Sequence, residues 1–272
     1  MGGLDGKVAI VTGAGRLRGI GRAAAVAFAR LGSDVVVTGT GRNPETFPLD
    51  EKKIGWRDVE SVADLIRAEG RRAMSLVVDV TNRIQVEGMI KKTLEEFGRV
   101  DILVNNAAYR VGEDRVPIIE LDPDVFQGVL DIKATGTYLC TRAAIKPMIE
   151  QGEGGKIVNI SSSAGKRGSA NTLAYNAANF AVVGMTQSMA QELGRYGINV
   201  NCVCPGLVTT YRGDMLLDRI GGTWEERSAN TPIGRNGTDE ELGDFVAYLC
   251  TEAASWIHGQ SINHNGGTVM EH

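Results

Sequence analysis

Tyr175 is the side chain with the clearest capacity for acid–base chemistry, because a cluster of hydroxyl groups precedes it in the chain. The cluster is Ser161, Ser162 and Ser163, directly after the apolar run Lys156–Ile160. A phenol gives a proton to a forming alkoxide, or takes one from an alcohol, when its pKa of about 10 is lowered toward neutrality. A neighbouring serine hydroxyl would hydrogen-bond the same substrate oxygen. These residue types suit the reduction of a carbonyl or the oxidation of an alcohol.

A glycine-rich turn over Thr12–Gly21 separates an apolar run from a helical pattern that starts near Arg22. Its glycines allow a tight turn and let the backbone approach a pyrophosphate closely. The following helix offers free N–H groups and a partial positive charge at its N-terminus. The strand–turn–helix context therefore predicts a dinucleotide-binding site. The glycines are Gly13, Gly15, Gly19 and Gly21.

Short apolar runs alternate with longer helical patterns along the whole chain. The predicted strands are Val8–Val11, Val35–Thr38, Ser75–Val78, Ile102–Asn105, Lys156–Ile160, Asn199–Val203 and Ser261–Ile262. The predicted helices are Gly21–Leu31, Val59–Glu69, Arg83–Phe97, Pro123–Ile149 and Leu173–Arg195. Most strands are apolar on both sides, as in parallel sheets covered on both faces. The alternation predicts an α/β fold: a Rossmann-type, doubly wound parallel sheet of about seven strands in three α/β/α layers, forming one domain over residues 1–272.

Two long segments fit this alternation poorly. Gly39–Arg57 is polar and contains proline, and Leu207–Gly237 shows no clear periodicity. In open α/β sheets, ligands bind beyond the carboxyl ends of the strands, where long loops contact substrate. We expect residues 207–237 to form a substrate loop.

Composition excludes several classes of partner. The formal net charge is −4, so we expect neither nucleic acid nor an anionic membrane surface as a partner. No run approaches the ~18 apolar residues of a membrane span. The four cysteines are too few and scattered for a disulfide framework, which favours a reduced, cytoplasmic protein. Cys202 and Cys204 are too close for the usual zinc pair, and no metal site is expected.

These motifs together resemble the short-chain dehydrogenase/reductase family, from about Gly6 to Val269. The family fingerprint T-G-x-x-x-G-x-G appears as Thr12-Gly13 and Gly19-Ile20-Gly21, with five residues between the two parts instead of three. Further segments match D-V, N-N-A-G and P-G patterns of the family. The resemblance implies a nicotinamide cofactor held by Gly13, Gly15, Gly19, Ile20, Gly21, Asp79, Val80, Asn106, Ala107, Tyr175, Asn179, Pro205, Gly206, Val208 and Thr210.

The resemblance also assigns the catalytic positions and shows two departures. The family's serine precedes its tyrosine by 13 residues, which selects Ser162 for Tyr175. Its lysine, four residues after the tyrosine, is Asn179 here, and its asparagine on the fourth helix is Lys133. Because the exchange is reciprocal, we hypothesise that the Lys133 ammonium lies close to the usual lysine's place. The alternative is that both substitutions are losses and ordinary redox catalysis is gone.

The choice of nicotinamide cofactor depends on the end of the second strand. NAD-preferring members carry an acid there for the ribose 2′-hydroxyl, and this chain has Gly39. Arg18 and Arg42 offer guanidinium groups suited to a 2′-phosphate, unless they are merely solvated loop charges. The sequence therefore favours NADP(H) over NAD(H).

The resulting prediction is hydride transfer between NADP(H) and a small-molecule carbonyl or secondary alcohol. The resemblance also implies a homodimer or homotetramer. The alternative function is a cofactor-binding protein with lost or altered catalysis, either regulatory or of a non-redox lyase type. Arg110 and Arg115 follow the N-N-A-A segment; they would bind an anionic substrate group or be exposed loop charges.

Overall fold

A computed structural model describes residues 3–270 and places seven strands in one parallel sheet. The strands are β1 (Val8–Val11), β2 (Asp34–Gly39), β3 (Ala73–Val77), β4 (Ile102–Asn105), β5 (Gly155–Ile160), β6 (Ile198–Pro205) and β7 (Ser261–His264). Their order is β3-β2-β1-β4-β5-β6-β7, and all neighbouring pairs are parallel. The order reverses between β1 and β4, which opens a crevice at their carboxyl ends.

Helices cover both faces of the sheet. They are α1 (Ile20–Arg30), α2 (Leu49–Lys53), α3 (Val59–Ala68), α4 (Arg83–Phe97), α5 (Pro123–Leu130), α6 (Gly136–Gln151), α7 (Leu173–Leu193), α8 (Tyr211–Ile220), α9 (Trp224–Ala229) and α10 (Asp239–Tyr248). Alternate strand residues enter opposite cores: Ala9 and Val11 pack with α1, α3 and α10, whereas Ile10 packs with α4, α6 and α7. This pattern confirms the predicted doubly wound sheet. Within residues 3–270, no helix combines the length and apolarity needed to cross a membrane.

The predicted helix Pro123–Ile149 is interrupted by a π-helical turn, and this turn contains Lys133. Between α5 and α6 the chain forms a π-helical turn over Asp131–Thr135. Such turns disturb the regular helical register and are frequent at functional sites. A Cβ at Gly136 would lie 2.7 Å from Cγ2 of Val80, so glycine permits the close contact between this turn and the loop after β3. The Lys133 side chain is buried in the interrupted segment.

The two segments that fit the alternation poorly contain regular structure. The segment Gly39–Arg57 starts with the last residue of β2 and includes a 3₁₀ turn, Pro44–Thr46, and α2. The substrate-loop segment contains α8 and α9, and α10 follows it. Helices α9 and α10 both begin with capping boxes, Thr223 with Glu226 and Thr238 with Glu241. This S/T-x-x-E signal was present in the sequence and would have identified both helices.

Candidate active site

The glycine-rich turn lies at the crevice and is clamped by the residues that follow β4. The Asn106 side-chain amide donates to the carbonyl oxygens of Thr12 and Gly13, both at 2.9 Å. The Asn106 and Ala107 backbone N–H groups donate to the Thr12 hydroxyl. Gly13 has φ +66°, and a Cβ there would lie 2.8 Å from the Ala107 Cα. Glycine is therefore required at position 13. The structure places the predicted turn next to Asn106 and Ala107, which were also predicted to hold the cofactor.

The two extra residues of this turn are held by the segment 40–58 and by α10. The Trp56 indole N–H donates to the Gly15 carbonyl at 2.7 Å, and the Leu17 N–H donates to the Glu51 carboxylate at 2.9 Å. The Gly19 N–H donates to Asp239 at 2.7 Å. Beyond Gly19, α1 begins at Ile20 with no N-cap side chain bonded to it. The first turn of α1, with Ile20 and Gly21, therefore remains suited to an anionic group.

Arg18 and Arg42, the two arginines considered for a 2′-phosphate, are ion-paired in the structure. Arg18 contacts Asp50 at 2.8 Å and Asp214 at 2.6 Å. Arg42 contacts Glu51 at 2.8 Å and Asp58 at 3.0 Å, and it also donates to the Gly15 carbonyl. The carboxylates therefore neutralise both guanidinium groups.

Tyr175, Ser162 and Lys133 meet at the carboxyl ends of β4 and β5. Ser162 directly precedes a 3₁₀ turn after β5, and Tyr175 lies in the first turn of α7. Lys133 is only 5 % exposed, and its ammonium lies 3.5 Å from the Ala107 carbonyl oxygen. Burial lowers the pKa of Lys133 to about 8, and the Tyr175 phenol opposes this shift. The lysine and the phenol are thus close enough for their charges to interact.

The pKa of the Tyr175 phenol is lowered from its ordinary value. Burial alone would raise this pKa, but the charge of Arg212 and a hydrogen bond with Ser162 lower it. The charges of Arg115 and Lys133 lower it further. The arrangement therefore favours a phenol that can give up its proton more readily than a tyrosine in water.

Asn179 lies fully buried one helical turn after Tyr175. Its Nδ2 donates to the Tyr175 carbonyl oxygen at 2.8 Å, which ties it to its own helix. Its Oδ1 is buried and has no hydrogen-bond partner among the described residues. Buried acceptors are normally hydrogen-bonded, so a donor from a ligand or a water molecule is expected at this oxygen.

The segment after β6 completes the crevice. A Cβ at Gly206 would lie 2.9 Å from the Asn265 Cα, so glycine allows the two backbones to approach. Thr210 caps α8, and the Ser163 hydroxyl donates to the Pro205 carbonyl oxygen. Val208 is buried and pairs with Gly237 across the base of the substrate loop.

Asp79 and Val80 stand after β3 and have different environments. Asp79 is exposed, and its carboxylate accepts from the N–H and hydroxyl groups of Thr81. Val80 is buried and packs at Gly136. Asp79 therefore presents a polar side chain at the edge of the crevice.

Comparisons with known proteins agree with this geometry. Residues 13–269 match a family model described as Enoyl-(Acyl carrier protein) reductase. The chain is 37 % identical over 268 residues to the short chain dehydrogenase/reductase astE of Aspergillus oryzae, covering 98 % of this chain and 96 % of that protein. It belongs to the short-chain dehydrogenase/reductase family. A 3-oxoacyl-[acyl-carrier-protein] reductase of Synechocystis is 35 % identical, with 98 % of both chains covered. Among solved structures, levodione reductase has a TM-score of 0.85 at 29 % identity, with 97 % of both chains covered.

Membership of the short-chain dehydrogenase/reductase family implies a nicotinamide cofactor, and the crevice residues fit one. The first turn of α1 suits the pyrophosphate, and Gly13 and Gly206 provide close backbone approaches. The orphaned Asn179 Oδ1 suits a ribose hydroxyl donor. A bound nicotinamide would exchange a hydride with a substrate carbon.

Three side chains lie near these sites, of which Asp58 and Arg212 were missed in the sequence and Arg115 was predicted either to bind an anionic substrate group or to be an exposed loop charge. Asp58 lies beside Gly15 and Gly39, where an added Cβ at Gly15 would overlap its carboxylate. Arg115 and Arg212 lie over the Tyr175 ring, with their guanidinium carbons 3.8 and 5.4 Å from its centroid. No spacing rule in the sequence brings Asp58 or Arg212 to the crevice, because the position of each depends on the path of the segment before its helix, α3 or α8.

Proposed function

We propose that this short-chain dehydrogenase/reductase transfers a hydride between a nicotinamide cofactor and a small-molecule carbonyl or secondary alcohol. One observation carries the proposal: the Tyr175 phenol has a lowered pKa beside Ser162 and the buried Lys133. A chain that had lost its acid–base chemistry would have no need of a buried ammonium at this point, because burying a lone charge costs stability. Lys133 thus takes over the electrostatic role of the lysine that Asn179 replaces.

Each side chain has a distinct task in the proposed reaction. The Ser162 hydroxyl hydrogen-bonds the substrate oxygen and holds it against the phenol. In the direction of reduction, the Tyr175 Oη gives its proton to the oxygen as negative charge develops there. The Lys133 ammonium stabilises the resulting phenolate, and Asn179 binds the cofactor ribose. In the direction of oxidation the same proton returns to Tyr175.

Enzyme assays with a panel of carbonyl compounds test the proposal. With NADH and NADPH supplied separately, we expect cofactor oxidation that depends on a ketone or oxo acid and follows saturation kinetics. Tight binding of the cofactor without turnover of any panel member would favour a regulatory protein. Loss of substrate without cofactor oxidation would favour a lyase.

The contacts of the arginines now argue against the preference for NADP(H) that the sequence suggested. Arg42 is neutralised by Glu51 and Asp58, and Arg18 is neutralised by two other carboxylates. The Asp58 Oδ2 lies 3.6 Å from the position of a Cβ on Gly39, where NAD-preferring relatives of this fold begin their acid side chain. We therefore propose NAD(H) as the preferred cofactor, with Asp58 accepting from the ribose 2′-hydroxyl and, through its ion pair, keeping the Arg42 guanidinium from binding a 2′-phosphate.

Replacing Asp58 with Asn is expected to weaken that preference. We expect kcat/KM to favour NAD(H) over NADP(H) at least about tenfold in the natural protein, which corresponds to ~1.4 kcal/mol. Asp58→Asn keeps the side-chain shape and removes the charge, so the preference should fall by about tenfold. Steady-state kinetics with both cofactors measure the ratio. Asp64→Asn, at an exposed ion pair with Arg57, is the matched control. A natural preference for NADP(H), or an unchanged ratio in Asp58→Asn, contradicts the assignment.

We propose that residues 1–272 act as one domain, with 207–237 as the substrate loop because Arg212 reaches Tyr175 from it. The exposed apolar side chains of Tyr138 on α6 and Phe180 on α7 support a homodimer or homotetramer. All four cysteines lie within the described residues and are free thiols, which supports a reducing, cytoplasmic compartment.

A further inference from the structure

Arg115 presents a buried guanidinium group whose donors are largely unused. Its side chain is 6 % exposed and lies over the face of the Tyr175 ring, 3.8 Å from the centroid. The Nε atom has no hydrogen-bond partner among residues 3–270, and Nη1 has only a long ion pair, at 3.5 Å, with Oδ2 of Asp114. Buried guanidinium donors are normally satisfied, because leaving a charged donor without a partner is costly. The unused donors indicate that a bound ligand supplies the missing hydrogen-bond acceptors.

Arg212 approaches the same ring from the substrate loop. It stands in the first turn of α8, and its guanidinium carbon lies 5.4 Å from the Tyr175 centroid. One terminal nitrogen, Nη1, donates to the Tyr109 carbonyl oxygen and fixes the side chain. The other, Nη2, is buried and has no partner among the described residues. Two elements distant in the chain therefore direct unused donors to the same place.

The charges around Tyr175 do not balance. Arg115, Arg212 and Lys133 bring three positive groups to the phenol. Within residues 3–270, the carboxylate that pairs with them is Asp114, whose Oδ2 lies 3.5 Å from the Arg115 Nη1. Its other oxygen accepts from the Gly112 N–H. Unpaired buried charge is unfavourable, so an anionic ligand would be attracted to this site.

We infer that the substrate carries a carboxylate close to its reacting carbonyl, and that Arg115 and Arg212 bind this carboxylate. The inference rests on the proposed function, because it places the carbonyl at Tyr175. Planar guanidinium groups match the two oxygens of a carboxylate. Because both groups lie against the ring of Tyr175, the carboxylate must stand one or two carbons from the carbonyl. The substrate class is therefore the 2-oxo or 3-oxo acids and the corresponding hydroxy acids.

Matched pairs of charged and neutral substrates test the inference. We expect kcat/KM for 2-oxobutyrate or 3-oxobutyrate to exceed that for its methyl ester by at least about 30-fold. Arg115→Gln and Arg212→Gln should each reduce this acid-to-ester ratio by about the same factor. The ratio is an internal reference, since a general loss of catalysis lowers both of its terms. Arg83→Gln, at an exposed pair with Glu87 on α4, is the control and should keep the natural ratio.

The possible outcomes separate this inference from the proposed function. Equal use of acid and ester by the natural protein overturns the inference and leaves the redox function intact. If neither compound is turned over, calorimetry with 2-hydroxybutyrate and 3-hydroxybutyrate on the cofactor-loaded protein decides. Binding that Arg115→Gln weakens about 30-fold supports the carboxylate site. Absent binding of both acids, or binding that the variant leaves unchanged, overturns it.

Discussion

Replacing Tyr175 with Phe is expected to lower kcat for carbonyl reduction by about 10³-fold, within the range typical of lost general acid catalysis. The substitution removes one oxygen and keeps the ring on which both arginines lie. Because the phenol supplies the proton to the forming alkoxide, no other group in the described site takes over at the same distance. Steady-state kinetics at saturating substrate measure the effect.

Tyr196→Phe is the matched control, because Tyr196 is exposed in the 3₁₀ turn after α7 and has no role in the proposed site. We expect this variant to keep natural turnover. Thermal unfolding of both variants checks that the fold is retained. A Tyr175→Phe protein with more than a tenth of the natural kcat would mean that another residue acts as the acid.

Replacing Lys133 with Met is expected to lower kcat/KM by about tenfold at neutral pH. Met fills a similar volume but brings no charge, so the pKa of Tyr175 should rise, and each unit corresponds to ~1.36 kcal/mol. The site would keep Ser162 and Tyr175 but lose the ammonium that stabilises the phenolate. Lys146→Met, at an exposed pair with Glu150, is the control. Turnover equal to that of the natural protein would show that the exchange of Lys133 and Asn179 carries no function.

The same variant should be more stable than the natural protein. Burial lowers the pKa of Lys133 to about 8 from an ordinary value near 10.5, so below pH 8 the folded protein bears the full cost of a buried charge. Between about pH 8 and 10.5 the folded state releases a proton that the unfolded state keeps, and stability rises with pH. Lys133→Met should therefore stabilise the fold by about 3 kcal/mol at neutral pH, with a smaller gain near pH 10. Equal or lower stability at neutral pH would contradict the buried charge.

A double variant moves the lysine back to the position usual in the family. Lys133→Asn with Asn179→Lys should recover activity to within about threefold of the natural protein, because position 179 lies one helical turn after Tyr175 on α7. Single Lys133→Asn should remain as impaired as Lys133→Met. Failure of the double variant would mean that the surrounding packing accepts the lysine at position 133 alone.

Much of the fold could be predicted because the local pattern of apolar residues matches the strands and helices that form. The strand Ile102–Asn105 and the helix Arg83–Phe97 have their predicted bounds. Runs that are apolar on both faces indicate parallel strands covered by helices on both sides. The break between α5 and α6 was not predicted, since both flanking segments are helical and one π-helical turn only shifts the register between them.

The site was predictable where a motif is contiguous and unpredictable where long segments meet. Ser162, Tyr175 and the glycine-rich turn follow from spacing and from the ends of strands. The ion pairs of Arg42 depend on the path of residues 40–58, which the sequence presents only as a polar loop. The position of Arg212 over Tyr175 likewise depends on how α8 leaves β6. Such contacts are tertiary, and no local pattern encodes them.

The central claim is that Lys133 lowers the pKa of Tyr175, and a spectroscopic titration tests it without knowledge of the substrate. Ultraviolet absorbance of tyrosinate is followed with pH in the natural protein, with Tyr175→Phe subtracted to isolate one phenol. The same difference is measured in the Lys133→Met background. We predict a midpoint below the ordinary value of about 10 in the natural protein, and a midpoint higher by about one pH unit without Lys133. Coincident midpoints in the two backgrounds would contradict the claim.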